Sequence, residues 1–251
     1  MTRLSALATA LTLALSLPAP AQEQPLSDEA RAALRAEIRA YLLDNPEVIF
    51  EAVAEYERRT AAAQAEMDGA LIEINADAIF ADGHSWVGGN PEGDVTLVEF
   101  MDYRCGFCRR AFPMMMDFVG TDGNVRLVIK ELPILGQASE IMSRFAVAVQ
   151  LTHGDEAYFA VHEQLLALQE DPTDPVLQDI AAELGLDGEA LLATMRGAEV
   201  NAILVENRRL AQRLQISGTP SFIVGDGRRG QVLRGMVPAD QLRSTAAEYR
   251  S

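Results

Sequence analysis

Cysteine is almost missing from this chain, with 2 in 251 residues. A disulfide-stapled scaffold is therefore excluded. A closed zinc site is equally poorly served, because it needs four ligands. No second cysteine pair exists, and His84, His153 and His162 supply no H-x₃₋₅-H spacing. Basic residues are also scarce, 21 against 37 acidic, for a formal net charge of −16. Such a balance argues against nucleic acid or anionic membrane surfaces as partners. Beyond the N-terminus no apolar run approaches the ~20 residues that cross a bilayer. From Ser27 to Ile79 glycine and proline nearly vanish too, leaving Gly69 and Pro46 in a segment dominated by alanine, glutamate and arginine.

What is present is concentrated. The two cysteines sit together as Cys105-Gly106-Phe107-Cys108, after the apolar run Val95–Met101 and before a helix-like stretch from Arg109 to Val119. A C-x-x-C between a strand and a helix is the redox motif of thioredoxin-like folds. At that position Cys105 caps the helix, so free backbone N–H groups and the positive end of the helix dipole favour its thiolate. Cys108, one turn further in, is placed to attack back and resolve a mixed disulfide. A purely structural disulfide across so short a loop would remove little unfolded-state entropy.

The first residues read as a secretory signal peptide, 1–21: Arg3, an apolar run from Leu4 to Leu17, then an Ala-x-Ala site at Ala19 and Ala21. This places the protein in an oxidising compartment, a bacterial periplasm. Residues 22–82 form an N-terminal helical segment. Ala30, Ala33, Leu34, Ile38, Tyr41 and Leu42 lie on one helical face, and Asn45-Pro46 starts a second helix carrying Val48, Ile49, Phe50, Val53 and Tyr56. Two short helices do not bury such stripes on each other alone. The segment is therefore expected to make a homo-oligomer; packing on its own domain is the alternative.

Residues 83–251 read as an α/β domain. Gly83–Gly93 is expected to be a linker with a short strand near Ser85–Val87. Strands follow at Val95–Met101 and Val125–Leu132, with a helix between them that Pro113 should kink. A helical insertion covers about 137–215, breaking at Gly154, Asp171–Pro175 and Gly185–Gly188. Two short strands, Phe222–Val224 and Gln231–Leu233, and a closing helix, Pro238–Tyr249, complete the domain. Ser217-Gly218-Thr219-Pro220-Ser221-Phe222 stands at the head of a strand. Beside a C-x-x-C this suggests a cis-proline loop that turns the Thr219 backbone towards an extended substrate. Met101, Met114, Met115 and Met116 are soft copper donors by chemistry. Three consecutive helical methionines diverge, however, and read as core and groove lining.

Cys105-Gly106-Phe107-Cys108, Gly218-Thr219-Pro220 and the long helical insertion together resemble the DsbA-like thiol–disulfide oxidoreductases. The pattern Ile38-Arg39-Ala40-Tyr41-Leu42-Leu43-Asp44-Asn45-Pro46-Glu47-Val48-Ile49 resembles the suppressor-of-copper-sensitivity protein C (ScsC) subgroup. The resemblance implies a thioredoxin fold with a helical insertion, preceded by the N-terminal helical segment. It implies Cys105 as nucleophile, Cys108 as the resolving thiol, and Glu99 as a buried acid that relays the Cys108 proton. It also implies Pro220 as the cis-proline and Thr219 as its substrate-contacting neighbour, with Phe107 beside them. A salt bridge from Glu99 to Lys130, the lone lysine, is compatible with the relay. Arg104, Arg109 and Arg110 are candidates to lean over the sulfur. The expected activity is disulfide exchange on cysteines of secreted proteins, isomerase or reductase rather than oxidase, with a membrane thiol reductant or oxidant as redox partner. No cofactor is expected beyond the Cys105–Cys108 disulfide itself, and no metal. The alternative is a periplasmic copper-handling protein that uses the same cysteine pair.

Overall fold

Helix formation begins where the chain offers a cap. In the computed structural model, which describes residues 26–250, the Ser27 hydroxyl accepts from the Ala30 amide (3.2 Å) and opens α1 (Asp28–Asp44). At the break before α2 (Glu47–Ile74), the Asn45 side-chain amide donates to the Tyr41 carbonyl (2.9 Å). The signal peptide expected at 1–21 lies outside the described residues. The chain divides into two units, 1–57 and 58–251. In the first unit α1 buries no residue, and Leu34, Ile38, Tyr41, Ile49 and Phe50 are exposed.

The second unit is built on five strands in the order β1-β3-β2-β4-β5. They are β1 (Trp86–Gly89), β2 (Val95–Met101), β3 (Val125–Glu131), β4 (Ser221–Gly225) and β5 (Gly230–Arg234). β2 is buried along its whole length, parallel to β3 and antiparallel to β4. That is why it reads as a continuous apolar run with one acid in it. The short strand expected near Ser85–Val87 forms as β1, an edge strand antiparallel to β3. Trp86 anchors it. Its ring stacks on Phe159 (centroids 4.9 Å apart) and its indole N–H donates to the Asp155 carbonyl (2.9 Å).

Helices cover both faces of this sheet. On one face lie α4 (Gly106–Asp122), α5 (Gln137–Ala167) and α9 (Ala239–Tyr249), packed over Leu97, Met101, Leu127, Ile129 and Phe222. α6 (Asp174–Glu183), α7 (Gly188–Thr194) and the first part of α8 (Ala198–Arg213) extend that core. On the opposite face Ile72, α3 (Ala76–Phe80) and the end of α8 cover Val98, Phe100, Val128 and Ile223. Residues 58–82, grouped by sequence with the N-terminal segment, thus contribute to the sheet's second core. The insertion breaks where expected, and Gly154 takes a left-handed φ of 81° that interrupts α5. α4 runs from Gly106 to Asp122 with Pro113 inside it, so the proline removes one amide without ending the helix. The result is an α/β thioredoxin fold with an inserted helical layer.

Candidate functional site

The end of β2 is tied down before the cysteines begin. Asp102 is fully buried, and its carboxylate accepts four hydrogen bonds. They come from the amides of Arg104 (2.8 Å), Ile134 (2.8 Å) and Leu135 (3.0 Å) and from the Ser139 hydroxyl (2.7 Å). Its carbonyl accepts from the Cys105 amide (3.0 Å). The chain leaves this knot at Cys105, the N-cap of α4, which makes no side-chain cap bond. The first amides of α4 are therefore left to the sulfur's side of the helix end.

Four of the residues singled out by sequence meet at this helix end. The Cys105 Sγ donates to the Thr219 carbonyl at 3.1 Å, and the Thr219-Pro220 bond is cis. The loop is fixed from behind by Ser221 Oγ donating to the Gly218 carbonyl (2.8 Å) and by the Gly235 amide donating to the Pro220 carbonyl (2.9 Å). Cys108 is 1% exposed beside Cys105. Burial first, then the nearby Glu99 carboxyl, push its thiol well above the ordinary range. Phe107 projects outwards, 55% exposed, with the Arg110 guanidinium 4.5 Å from its ring centre. The other two arginines are also committed elsewhere. Arg104 donates to the Glu170 carbonyl (3.2 Å), and Arg109 to the carbonyls of Tyr103 (2.9 Å) and Leu168 (2.8 Å). Arg109 still lies within electrostatic reach of Cys105.

Glu99 lies within electrostatic reach of the buried Cys108, but the expected bridge to Lys130 does not form. Parallel register pairs Glu99 with Ile129 and Phe100 with Lys130. Alternation then sends Glu99 to the α4 face and Lys130 to the opposite one. There Lys130 Nζ donates to Asp82 (2.5 Å) and Ser85 (3.2 Å). Glu99 makes no hydrogen bond among the described residues. Burial, followed by the charge of Glu131, raises its pKa to about 8.

Glu131 was not legible as a site residue, yet it anchors a buried network. Its Oε1 accepts from Tyr103 (2.8 Å) and Tyr158 (2.6 Å), and its Oε2 from Ser143 (2.7 Å). Tyr103 also meets His162 Nδ1 at 2.9 Å. Burial lowers the His162 pKa to about 3, which makes it a neutral core histidine. The Met114–Met116 run diverges as expected, with Met115 buried and its neighbours half-buried. Among the described residues no group of three or more His, Cys, Asp or Glu is arranged to hold a metal ion. No described helix is long and apolar enough to cross a membrane.

Comparison with known proteins covers both units. Residues 31–63 match a model described as the copper resistance protein ScsC N-terminal domain. A thioredoxin-like oxidoreductase from Silicibacter pomeroyi is 40% identical, with a TM-score of 0.62, over 68% of this chain and 95% of that one. Proteus mirabilis ScsC in a transitional conformation is 26% identical, with a TM-score of 0.63, over 89% and 98%. A stretch of 146 residues, 57% of this chain, is 32% identical to Na(+)/H(+) antiporter NhaA 3 of Salinispora tropica. The chain spans only about a fifth of that relative, 22% of its length. The DSBA-like thioredoxin domain model matches residues 96–247, which take in Glu99, both cysteines and the Thr219–Pro220 loop. The chain belongs to this DSBA-like thioredoxin domain family.

Proposed function

We propose that the protein is a periplasmic thiol–disulfide oxidoreductase acting on cysteines of secreted proteins, and that it works as an isomerase or reductase in preference to an oxidase. The observation that carries the reading is the Cys105 thiol at a helix N-terminus, 3.1 Å from the Thr219 carbonyl, with Cys108 buried behind it. The Cys105 thiolate attacks one sulfur of a substrate disulfide. A Cys105–substrate S–S bond forms, the substrate S–S bond breaks, and one substrate thiolate leaves. In isomerisation a second substrate thiolate attacks the bonded substrate sulfur and releases Cys105 unchanged. In reduction the Cys108 thiolate attacks Cys105. The substrate gains two electrons and the Cys105–Cys108 disulfide remains, to be reduced again by a membrane thiol reductant.

Glu99 takes the Cys108 proton in that step and returns it in the reverse direction. A carboxyl titrating near 8 populates both forms at neutral pH, as a two-way proton carrier needs. Thr219 pairs with the extended substrate, Pro220 shapes the loop, and Phe107 offers the exposed apolar contact next to the sulfur.

The isomerase preference rests on the N-terminal unit. Its exposed apolar side chains are covered in a homo-oligomer, which gathers several cysteine pairs in one assembly. The test is recovery of scrambled ribonuclease by the reduced protein without added oxidant. Recovery that is lost when residues 22–57 are removed supports the reading. Rapid oxidation of a reduced substrate with no recovery sinks it in favour of an oxidase. The copper-handling alternative predicts stoichiometric Cu(I) uptake by Cys105 and Cys108 that blocks exchange.

A further inference from the structure

Glu99 and Glu131 face each other within one layer. In the parallel pairing Glu99 lies opposite Ile129 and Glu131 opposite Met101, so both carboxyls point to the face covered by α4 and α5. They are 2% and 3% exposed. The pair is unequal in its partners. Three hydroxyls, from Tyr103, Tyr158 and Ser143, donate to Glu131. None donates to Glu99 among the described residues. Burial raises the Glu131 pKa to about 7, and its three hydroxyl donors hold it below Glu99, at about 8, so Glu131 is the first of the two to ionise; two buried like charges do not ionise together readily.

We infer that Glu131 is a positioning residue for the exchange reaction: three hydroxyl donors make Glu131 the first of the two carboxyls to ionise, and its charge holds the transferable proton on Glu99. This inference rests on Glu99 being the proton carrier for Cys108.

The surroundings leave that charge unneutralised. Lys130 lies on the other sheet face, bound to Asp82. On the shared face Tyr158 from α5 lies within electrostatic reach of Glu99, and Asp102 within reach of Glu131. From α4, Cys108 adds a thiol held neutral. His162 from α5 is neutral as well. The one Tyr103 hydrogen goes to Glu131, so His162 Nδ1 carries its own hydrogen and donates it to the Tyr103 oxygen. His162 Nε2 is left without a partner in an apolar cage that includes Phe112 and Phe159. Tyr103 stands two residues before Cys105, which ties the network to the cysteine loop.

The test is a carboxyl titration by NMR of full-length protein labelled with ¹³C-glutamate, with Glu99→Gln identifying the Glu99 signal. In Glu131→Gln the Glu99 midpoint should fall by about one pH unit, a tenfold change in its ionisation ratio. Tyr158→Phe keeps the carboxylate but removes one donor, and should lower the midpoint by less. It also keeps the question open to experiment if Glu131→Gln does not fold. A purely structural role would lower the melting temperature and leave the midpoint in place, and an unmoved midpoint in both variants overturns the inference. The pH profile of mixed-disulfide resolution by Cys108 is read in parallel. If the Glu99 midpoint moves and this profile does not, Glu131 still governs Glu99, but the Glu99 relay reading is wrong.

Discussion

The Cys105 sulfur and the Thr219 carbonyl oxygen are 3.1 Å apart, joined by a hydrogen bond whose hydrogen is lost when Cys105 enters the proposed mixed disulfide. Cys105, 6% exposed, is the more accessible of the two thiols, and Cys108, 1% exposed, is sealed behind it with its pKa pushed up by burial and by Glu99. Native alkylation of the reduced protein should therefore label Cys105 alone, and both thiols should react after unfolding. Cys105→Ser should abolish exchange, whereas Cys108→Ser should still attack and accumulate mixed disulfides. Intact-mass measurement checks each outcome, and fast native labelling at Cys108 contradicts the assignment.

Glu99 carries a stability signature independent of catalysis. Its folded pKa, about 8, stands above the ordinary 4.5, so the folded state binds the extra proton between those values. Stability from this group is present below about pH 4.5 and declines as the pH rises towards 8, by a few kcal/mol when complete. Glu99→Gln should flatten that decline. Urea unfolding of both proteins at pH 5 and pH 8 measures it. An equal loss of stability in the two would remove Glu99 as its source.

The Asp82–Lys130 pair behaves in the opposite sense. Despite its burial, the Lys130 ammonium and the Ser85 donors hold Asp82 down to about 2. A depressed carboxylate stabilises above its unfolded pKa of 3.8, and that contribution is lost as the pH falls from about 4 to 2. Asp82→Asn would strand a fully buried ammonium and should cost about 3–5 kcal/mol, while a paired Asp82→Asn/Lys130→Met change should recover much of it. Denaturant midpoints of the three variants decide the matter.

The strand–helix–strand core, the cysteine pair and the proline loop were legible because each is written in contiguous residues. Cys105 to Cys108 spans one turn, and Thr219-Pro220 is a dipeptide. The acid network was not, because its donors converge on Glu131 from Tyr103, Ser143 and Tyr158, which share no short spacing. Lys130 shows the same limit in sharper form. Its partner depended on a register between β2 and β3 that neither strand encodes by itself, and one residue of register put Glu99 and Lys130 on opposite faces. β1 was legible only as a short strand near Ser85–Val87 inside a linker, because its glycines carry no apolar pattern and the burial that fixes it comes from Trp86 packing on a distant helix.

The N-terminal unit provides the last prediction. Phe50 is 75% exposed and Ile49 is 51% exposed, and with Leu34 and Ile38 they leave apolar surface that α1 and the first turns of α2 do not cover. In the proposed homo-oligomer a partner copy would offer the same surface back, the self-complementary arrangement that symmetric assemblies use. Phe50→Asp places a charge in that patch, in the unit that does not hold the cysteines. It should shift sedimentation from oligomer to monomer and leave dithiol oxidation of a small peptide unchanged. Ribonuclease unscrambling should fall with it, since that activity depends on several sites acting in one assembly. If the variant sediments as a monomer with full unscrambling activity, assembly does not set the reaction preference. If the unaltered protein is itself a monomer, the apolar surface has another role.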